Sequence, residues 1–190
     1  MRVISGTAKG RKLKEPGGRV IRPTTDMVKE SVFNIIQFDI EGRHVLDLFA
    51  GTGQMGIEAL SRGAASAVFV DESNEAIRLV RENIKHMGFE DRATVTKGDA
   101  VSFLRHGGKY DVIFLDPPYG LPLMEKALGS IFEFDMLKVN GIIICETNAE
   151  RQMPEPRSPY KKGREYRYGR VKIVLYGKGN QADPETGMEQ

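Results

Sequence analysis

The sequence predicts an α/β fold in which a mainly parallel β-sheet is covered by helices on both faces. Through the middle of the chain, short apolar segments of strand length alternate with longer segments whose apolar residues recur at helical spacing. The short segments are apolar at nearly every position, which is typical of parallel strands buried on both faces. A glycine-rich loop follows the first of them. At 190 residues, the chain has the length of one such domain.

Strands are predicted from segments rich in Val, Ile, Phe and Leu, at residues 44–49, 67–71, 93–97, 110–115 and 141–146. A capped amphipathic helix beginning near Asp26 precedes the first strand. A second helix covers 73–87, with Ser73 as its N-cap, and a third covers 122–132. Strands that alternate with helices require right-handed crossovers, which is why a mainly parallel sheet is expected.

Both ends of the chain have a different pattern. Residues 2–14 predict a small hairpin with strands Arg2–Ser5 and Arg11–Lys14. The stretch 151–164 is rich in Pro, Arg and Lys and predicts a loop. The strict apolar alternation within 165–176 predicts a half-exposed antiparallel strand at the end of the sheet.

Three segments follow from this organisation. We expect a basic hairpin extension at 1–21, the main α/β domain at 22–178 and a disordered tail at 179–190, which has almost no apolar content.

The chain contains no run of 18 apolar residues, so a transmembrane helix is excluded, and its start lacks the apolar stretch of a secretory signal. The single cysteine, Cys145, excludes an internal disulfide and argues against a zinc site. A reduced, cytoplasmic protein without a metal is expected.

The net charge of +2 hides a segregation of charge along the chain. Residues 1–30 carry a net charge of +5 and residues 151–178 carry +7, whereas residues 31–150 carry −7 and the tail carries −3. Basic flanks around an acidic centre favour a small-molecule site in the core and a surface that contacts a polyanion such as nucleic acid. The alternative is that these Lys and Arg residues lie on ordinary solvated faces.

The loop after the first strand matches the pattern GxGxxG at residues 51–56. Glycines allow the backbone to turn sharply and to approach a ligand closely, and the start of the next helix favours polar ligand groups. Alone the match is weak, because such a loop can also be a simple tight turn. Candidate ligand contacts in and beside the loop are Phe49, Gly51, Thr52 and Gly53.

Three acidic residues at consecutive strand ends indicate which ligand fits. Asp47 would repel a pyrophosphate but attract an ammonium or a sulfonium group, and Asp71 can accept hydrogen bonds from both ribose hydroxyls. Asp99, followed by Ala100, can accept from the exocyclic amine of adenine. S-adenosylmethionine carries both positive groups and no phosphate. The alternative role of these carboxylates is to cap the helices that follow.

The fourth strand ends in the sequence Asp116, Pro117, Pro118 and Tyr119. Two prolines cannot continue a parallel strand, so the chain must leave the sheet at its carboxyl edge. The Asp116 carboxylate and the Pro117 carbonyl would be two acceptors beside the aromatic face of Tyr119, a receptor for a nucleobase with an exocyclic amine. Hydrogen bonds to the amine protons would free the nitrogen lone pair for in-line attack on a sulfonium methyl group.

Together, residues 45–64 and 116–119 resemble the class I S-adenosylmethionine-dependent methyltransferases that act on exocyclic amines. The N-terminal RVISGTAKGRKL and the segment 22–36 narrow the resemblance to the RsmD-type 16S ribosomal RNA guanine-N(2) methyltransferases, over roughly residues 1–177. The resemblance implies a Rossmann-like seven-stranded sheet with an N-terminal hairpin, and a bacterial cytoplasmic enzyme that modifies small-subunit RNA. A monomer is expected, and the substrate can be free 16S RNA, the small subunit or an assembly intermediate. Expected RNA contacts are Arg11, Lys12, Thr24, Lys161 and Lys162 together with Arg22. For Arg22 the alternatives are a contact to the cofactor carboxylate or a simple position at the entry of a helix.

Three alternatives remain open on the sequence. A DNA adenine or cytosine amine methyltransferase would use the same Asp-Pro-Pro-Tyr sequence, although 190 residues leave no room for a separate target-recognition domain. An NAD-dependent oxidoreductase would use the glycine loop, but Asp47 disfavours a pyrophosphate. A non-catalytic RNA-binding protein would have no use for the Asp116–Tyr119 element.

Overall fold

A computed structural model describes residues 1–17, 26–37, 39–118 and 122–179 of the chain. The described chain forms two compact units, Met1–Ala100 and Val101–Gln190. The predicted boundary at residue 21 and nearly all of the predicted tail lie outside the described residues. The division into segments 1–21, 22–178 and 179–190 therefore stays a prediction.

The first unit contains three parallel strands with helices between them. The elements of this unit in chain order are α1 (Asp26–Ile35), β1 (His44–Leu48), α2 (Gln54–Ser61), β2 (Ser66–Asp71), α3 (Asn74–Met87), a 3-10 turn (Glu90–Arg92) and β3 (Ala93–Lys97). Strand β2 lies between β3 and β1, and both strand pairs are parallel. A short helix, α4 (Ala100–Leu104), follows β3.

Helix α3 confirms the predicted helix and its N-cap. The Ser73 hydroxyl accepts a hydrogen bond from the Ala76 N–H at 3.4 Å, and Gly88 ends the helix with a left-handed φ of 76°. The apolar face of α3 is buried, as its periodicity predicts.

The expectation that every strand is buried on both faces is wrong for β3, whose residues are all partly exposed. Among the described residues β3 pairs with β2 alone, so one side of it faces solvent.

The predicted N-terminal hairpin forms over a shorter span than predicted, with one antiparallel bridge between Arg2 and Lys12. Three backbone hydrogen bonds join its two arms, among them the bond from the Val3 N–H to the Arg11 carbonyl at 2.9 Å. The strands do not extend over the whole of the predicted ranges, and other backbone groups of this segment are hydrogen-bonded to helices. The Thr7 N–H donates to the Ser61 carbonyl at 2.8 Å. The backbone N–H of Lys14 donates to the Asn83 side chain at 2.7 Å. The segment is therefore part of the packed first unit.

A buried carboxylate on α2 anchors this N-terminal segment. The Glu58 carboxylate accepts from the backbone N–H groups of Ile4 and Ser5 at 2.7 and 3.0 Å, and from the Arg62 guanidinium at 2.8 Å. The Lys29 ammonium lies 3.9 Å from the same carboxylate, and both side chains are 0% exposed. Burial lowers the pKa of Lys29. Removing one partner would leave an uncompensated charge in the interior.

The second unit holds the remaining strands. Its elements are β4 (Tyr110–Leu115), α5 (Leu123–Glu133), β5 (Leu137–Asn148), β6 (Tyr160–Tyr168) and β7 (Val171–Lys178). Strands β4 and β5 are parallel, β5 and β7 are antiparallel, and β7 and β6 form an antiparallel hairpin. The spatial order within the unit is β4, β5, β7, β6.

The prediction of a loop over 151–164 is wrong for its last five residues, because β6 begins at Tyr160. Its basic residues resemble a loop in composition, yet pairing with β7 satisfies the backbone of this segment. The segment 165–176, predicted as one antiparallel strand, is antiparallel but contains the end of β6, a turn and most of β7. Strand β7 is buried on both faces rather than half-exposed.

The predicted α/β class and the seven strands are confirmed, with three strands in the first unit and four in the second. Within the two units, three strand pairs are parallel and two are antiparallel, which agrees with a mainly parallel fold. None of the helices in the described part of the chain is long and apolar enough to cross a membrane.

We predict that Gly6→Ala loosens the N-terminal segment. A Cβ at Gly6 would lie 1.8 Å from the Ser61 carbonyl oxygen, and φ at this residue is +80°. The free energy of unfolding should fall by more than about 2 kcal/mol, or the segment should detach and become sensitive to protease. Urea denaturation and limited proteolysis measure the two outcomes.

Gly10→Ala is the matched control. Gly10 has nearly the same φ, +82°, but a Cβ there would meet no atom within 4 Å. Only the cost of the left-handed conformation, about 1 kcal/mol, is expected. Equal losses of stability in the two variants would contradict the packing of Gly6 against α2.

Candidate functional site

The chain reverses sharply between β1 and α2 through left-handed residues. Phe49, Gly51 and Gly53 have φ values of 69°, 56° and 78°. The N–H groups of Phe49 and Ala50 both donate to the Val70 carbonyl, which fixes the start of the turn at the end of β2. A non-glycine residue with positive φ is uncommon, and such residues are frequent at binding sites. The turn therefore has the backbone of a ligand-binding loop.

The third glycine of the pattern is required for packing. A Cβ at Gly56 would lie 2.3 Å from the ring of Phe69 on β2. Helix α2 can approach the sheet this closely only with a glycine at this position. At Gly51, in contrast, a Cβ would meet nothing within 4 Å. Glycine is favoured there because the backbone is left-handed, not because space is lacking.

Asp47 is almost fully buried, with 4% of its surface exposed, and lies on the interior side of the glycine loop. Its Oδ2 accepts from the Gly56 N–H at 2.9 Å. This bond caps α2, whose N-cap residue, Gly53, has no side chain to do so. Burial raises the pKa of Asp47 to about 7, and the nearby charge of Asp71 acts in the same direction. The Asp47 carboxylate can therefore both cap α2 and attract a cation, so the two roles predicted for it do not exclude each other.

Asp71 lies at the end of β2 and is only partly buried. Its Oδ2 accepts from the Gly51 N–H at 2.9 Å, and its Oδ1 accepts from the Ser73 N–H at 2.8 Å. Each carboxylate oxygen has a second lone pair, so two hydroxyl donors can still be bound.

The structure places the predicted acidic residues at neighbouring strand ends of the first unit. Strands β1, β2 and β3 are in register, and Asp71 pairs with Lys97, two residues before Asp99. Asp99 is exposed, and Ala100 is buried at the start of α4. The carboxyl ends of three adjacent strands therefore share one edge.

Thr52 points inward, away from solvent. It is buried, its hydroxyl lies 3.9 Å from the Met1 sulfur, and its carbonyl accepts from the Asn83 amide at 3.0 Å. Its neighbour Gln54 has a buried Oε1, which among the described side chains lacks a hydrogen-bond partner. A buried acceptor without a donor is costly, and a ligand donor would satisfy it.

Asn83 is a residue that the sequence reasoning missed. It is fully buried, and its amide donates to the carbonyls of Thr52 and Lys14 while its Oδ1 accepts from the Lys14 N–H. Asn83 thereby joins the glycine loop to the N-terminal segment. The available signal was a polar residue on the apolar face of the predicted helix 73–87, where the core would otherwise favour an apolar side chain.

The loop fits a ligand that is positively charged and carries hydroxyl groups. Asp47 and the Gln54 oxygen are acceptors with little access to water, and Asp71 has capacity for two hydroxyl donors. Within the described ranges of the chain, no group of three or more His, Cys, Asp or Glu side chains could hold a metal ion.

The Asp116 element follows β4 directly in the second unit. Asp116 is partly buried, Pro117 is buried and Pro118 is exposed. All six residues of β4 are buried, so the strand holds the element firmly. Tyr119 lies outside the described residues.

The predicted RNA contacts fall into different environments. Arg11 donates to the carbonyls of His86 and Met87 at the end of α3, and the Lys162 ammonium forms ion pairs with Glu155 and Glu165. Lys12 and Lys161 are exposed. Arg22 and Thr24 lie outside the described residues.

We predict that Asp47→Asn stabilises the protein in a pH-dependent way. Because the folded-state pKa of about 7 lies above the ordinary value of 3.8, the native state is penalised for ionising Asp47. An asparagine still accepts from the Gly56 N–H without a buried charge. The stabilisation of the variant over the parent should be absent below pH 4, grow between pH 4 and 7, and reach at most about 4 kcal/mol above that.

Chemical denaturation of both proteins across this pH range measures the difference. Asp91→Asn, which changes an exposed carboxylate, is the control and should give a pH-independent difference. A variant that is equally stable relative to the parent at pH 4 and pH 8 would refute the buried charge.

Comparison with known proteins gives a consistent result. The family model described as "Conserved hypothetical protein 95" matches residues 1–177. The Bacillus subtilis protein described as "Putative rRNA methyltransferase YlbH" is 42% identical over 182 residues, which cover 94% of this chain and 99% of the relative. Escherichia coli "Ribosomal RNA small subunit methyltransferase D" is 32% identical over 187 residues, covering 98% and 94% of the two chains.

The fold agrees with these sequence matches. The solved structure described as "Putative methyltransferase yhhF from Escherichia coli" matches with a TM-score of 0.86 at 31% identity, covering 95% of this chain and 99% of that one. This match confirms the class I methyltransferase fold that the family resemblance implies. The chain belongs to the family of RsmD-type methyltransferases.

Proposed function

We propose that this protein transfers a methyl group to the exocyclic N(2) amine of a guanine in 16S ribosomal RNA. The cofactor of this methyltransferase family is S-adenosylmethionine. The observation that carries the proposal is the pair of acceptors, Asp116 and the Pro117 carbonyl, directly after the fully buried strand β4. A ribosomal RNA substrate implies a cytoplasmic reaction, and we expect a monomer.

The first unit supplies the cofactor contacts in this proposal. Asp71 accepts from the ribose hydroxyls with its remaining lone pairs, and Asp47 with Gln54 Oε1 binds the positively charged methionyl end. Gly51 and Gly53 allow the backbone to approach the cofactor. Asp99 and Ala100 bind the adenine. When bound, S-adenosylmethionine supplies a methyl group activated by a sulfonium.

Asp116 and Pro117 act on the acceptor base. An aromatic amine is a weak nucleophile, because its lone pair is delocalised into the ring. Hydrogen bonds from its two protons to the Asp116 carboxylate and the Pro117 carbonyl favour a pyramidal nitrogen with an available lone pair. Asp116 or water takes the proton after the nitrogen has become cationic. Positioning and electrostatics therefore carry the reaction, with Tyr119 as the proposed stacking surface.

The basic residues provide contacts to RNA phosphates. Lys12 and Lys161 are exposed, so their ammonium groups can pair with phosphates at the cost of little desolvation. For Arg11 and Lys162 part of the side chain is already engaged within the protein. We assign the first two to long-range attraction of RNA, and Arg22 and Thr24 to the neighbourhood of the target base.

We predict that Asp116→Ala lowers turnover by at least about a hundredfold, because it removes the carboxylate acceptor for the amine. The affinity for S-adenosylhomocysteine, measured by calorimetry, should stay within about twofold, since the proposed cofactor contacts lie elsewhere. Turnover is measured with labelled S-adenosylmethionine and small ribosomal subunits.

Asp116→Asn and Asp91→Ala are the controls. The asparagine keeps one acceptor oxygen and should retain more activity than alanine, whereas loss of the exposed carboxylate at Asp91 should have no effect. Undiminished turnover of Asp116→Ala would remove Asp116 from the reaction.

The substrate class is tested by offering small subunits, free 16S RNA and duplex DNA as acceptors. Nuclease digestion and mass spectrometry of the product nucleosides should give N(2)-methylguanosine from the RNA. Methylation of DNA alone, or of an adenine or cytosine amine, would overturn the proposal.

A further inference from the structure

The turn between β6 and β7 lies at the same edge of the second unit as the Asp116 element. Asn148 at the end of β5 pairs with Val171, and Val171 pairs with Tyr168 at the end of β6. On the other side of β5, Cys145 pairs with Leu115, the residue before Asp116. The carboxyl ends of β4, β5 and β6 therefore share one edge.

The distance along this edge follows from strand spacing. Strands in a sheet lie about 4.8 Å apart, so the three steps from β4 to β6 span roughly 14 Å across the sheet. Tyr168 is level with Asn148, three residues or about 10 Å beyond the position level with the end of β4, so it lies roughly 17 Å from Leu115. The turn is held at this edge by the Ala149 N–H, which donates to the Arg170 carbonyl at 3.0 Å. Gly169, with a φ of 60°, permits the tight reversal.

This edge carries aromatic side chains on one face of β6, and basic side chains on the opposite face of β6 and in the turn that follows. We define the rim patch as Tyr166, Arg167, Tyr168 and Arg170. The two tyrosines alternate along β6 on one face and are partly exposed, while both arginines are exposed. Arg167 pairs with Glu150, and both side chains are largely in solvent, so this pair contributes little and can exchange for a phosphate.

We propose that the rim patch binds the single-stranded RNA next to the target guanine. Partly exposed tyrosines stack on bases of any sequence, and the adjacent arginines pair with phosphates. The spacing lets a short unpaired stretch of RNA reach from the rim patch to the Asp116 element. This inference rests on the proposed function and adds the surface that positions the substrate.

The lysines that the sequence singled out lie at the other end of the same strand. Tyr160 pairs with Lys178 at the start of β6, so Lys161 and Lys162 lie at the amino end of β6. Seven residues of strand separate Lys161 from Tyr168, a distance of more than about 20 Å. Nucleotides beside the target base therefore contact the rim patch rather than these lysines.

The test measures steady-state methylation of the RNA acceptor found in the substrate assay, together with S-adenosylhomocysteine affinity. Tyr168→Ala should raise the KM for RNA about tenfold, with kcat and the cofactor affinity within about twofold of the parent. Tyr168→Phe keeps a stacking ring and should restore the KM. Arg170→Gln should weaken RNA binding and reduce the salt slope of the affinity by about one.

Arg105→Gln is the matched control, because it removes an exposed arginine ahead of the amino end of β4. It should leave the KM for RNA within about twofold. If Tyr168→Ala does not fold, Arg170→Gln still decides the proposal through the affinity for RNA and its salt slope.

An unchanged KM and salt slope in the rim variants, with normal methylation of RNA by the parent, would overturn this inference and leave the proposed function intact. A loss of cofactor affinity equal to the rise in KM would show a structural role and also overturn it. Absence of RNA methylation by the parent would overturn both proposals.

Discussion

The reversal of the chain between β1 and α2 depends on two carboxylates that accept backbone N–H groups of the turn. Asp47 holds the Gly56 N–H from inside the unit, and Asp71 holds the Gly51 N–H from the neighbouring strand. Without these acceptors, the left-handed turn and the uncapped start of α2 would leave donors without partners. The same requirement creates the binding chemistry, because a buried carboxylate with a raised pKa favours a cation beside it.

The N-terminal segment supports that turn. Glu58 on α2 gathers backbone and cationic donors from three parts of the chain, and Asn83 on α3 hydrogen-bonds both the segment and the Thr52 carbonyl. Satisfied polar groups of this kind in the interior fix one arrangement, because any shift would leave a buried group unpaired. The segment that appears in the sequence as a basic extension thus stabilises the glycine loop.

In the second unit, the fold decides which basic side chains of residues 151–178 are paired with acidic neighbours and which stay exposed. Lys162, Lys172 and Lys178 are neutralised by acidic neighbours within the unit. In the proposed complex with RNA, the cations available to phosphates are therefore those that strand pairing leaves at exposed positions. Arg167 and Arg170 are brought to the edge where Asp116 leaves the sheet, next to the two tyrosines of β6.

Sequence alone determined the α/β class, the strands of the middle region, the capped helix α3 and the residues of the glycine loop. Local periodicity and capping encode these features, and family resemblance added the cofactor. Tertiary structure decided the rest. The hydrogen bonds of Glu58 and Asn83, the packing of the N-terminal hairpin against α2 and α3 and the strand character of β6 all depend on partners far away in the chain. A sequence shows which groups can form hydrogen bonds and ion pairs, but only packing decides which of them meet.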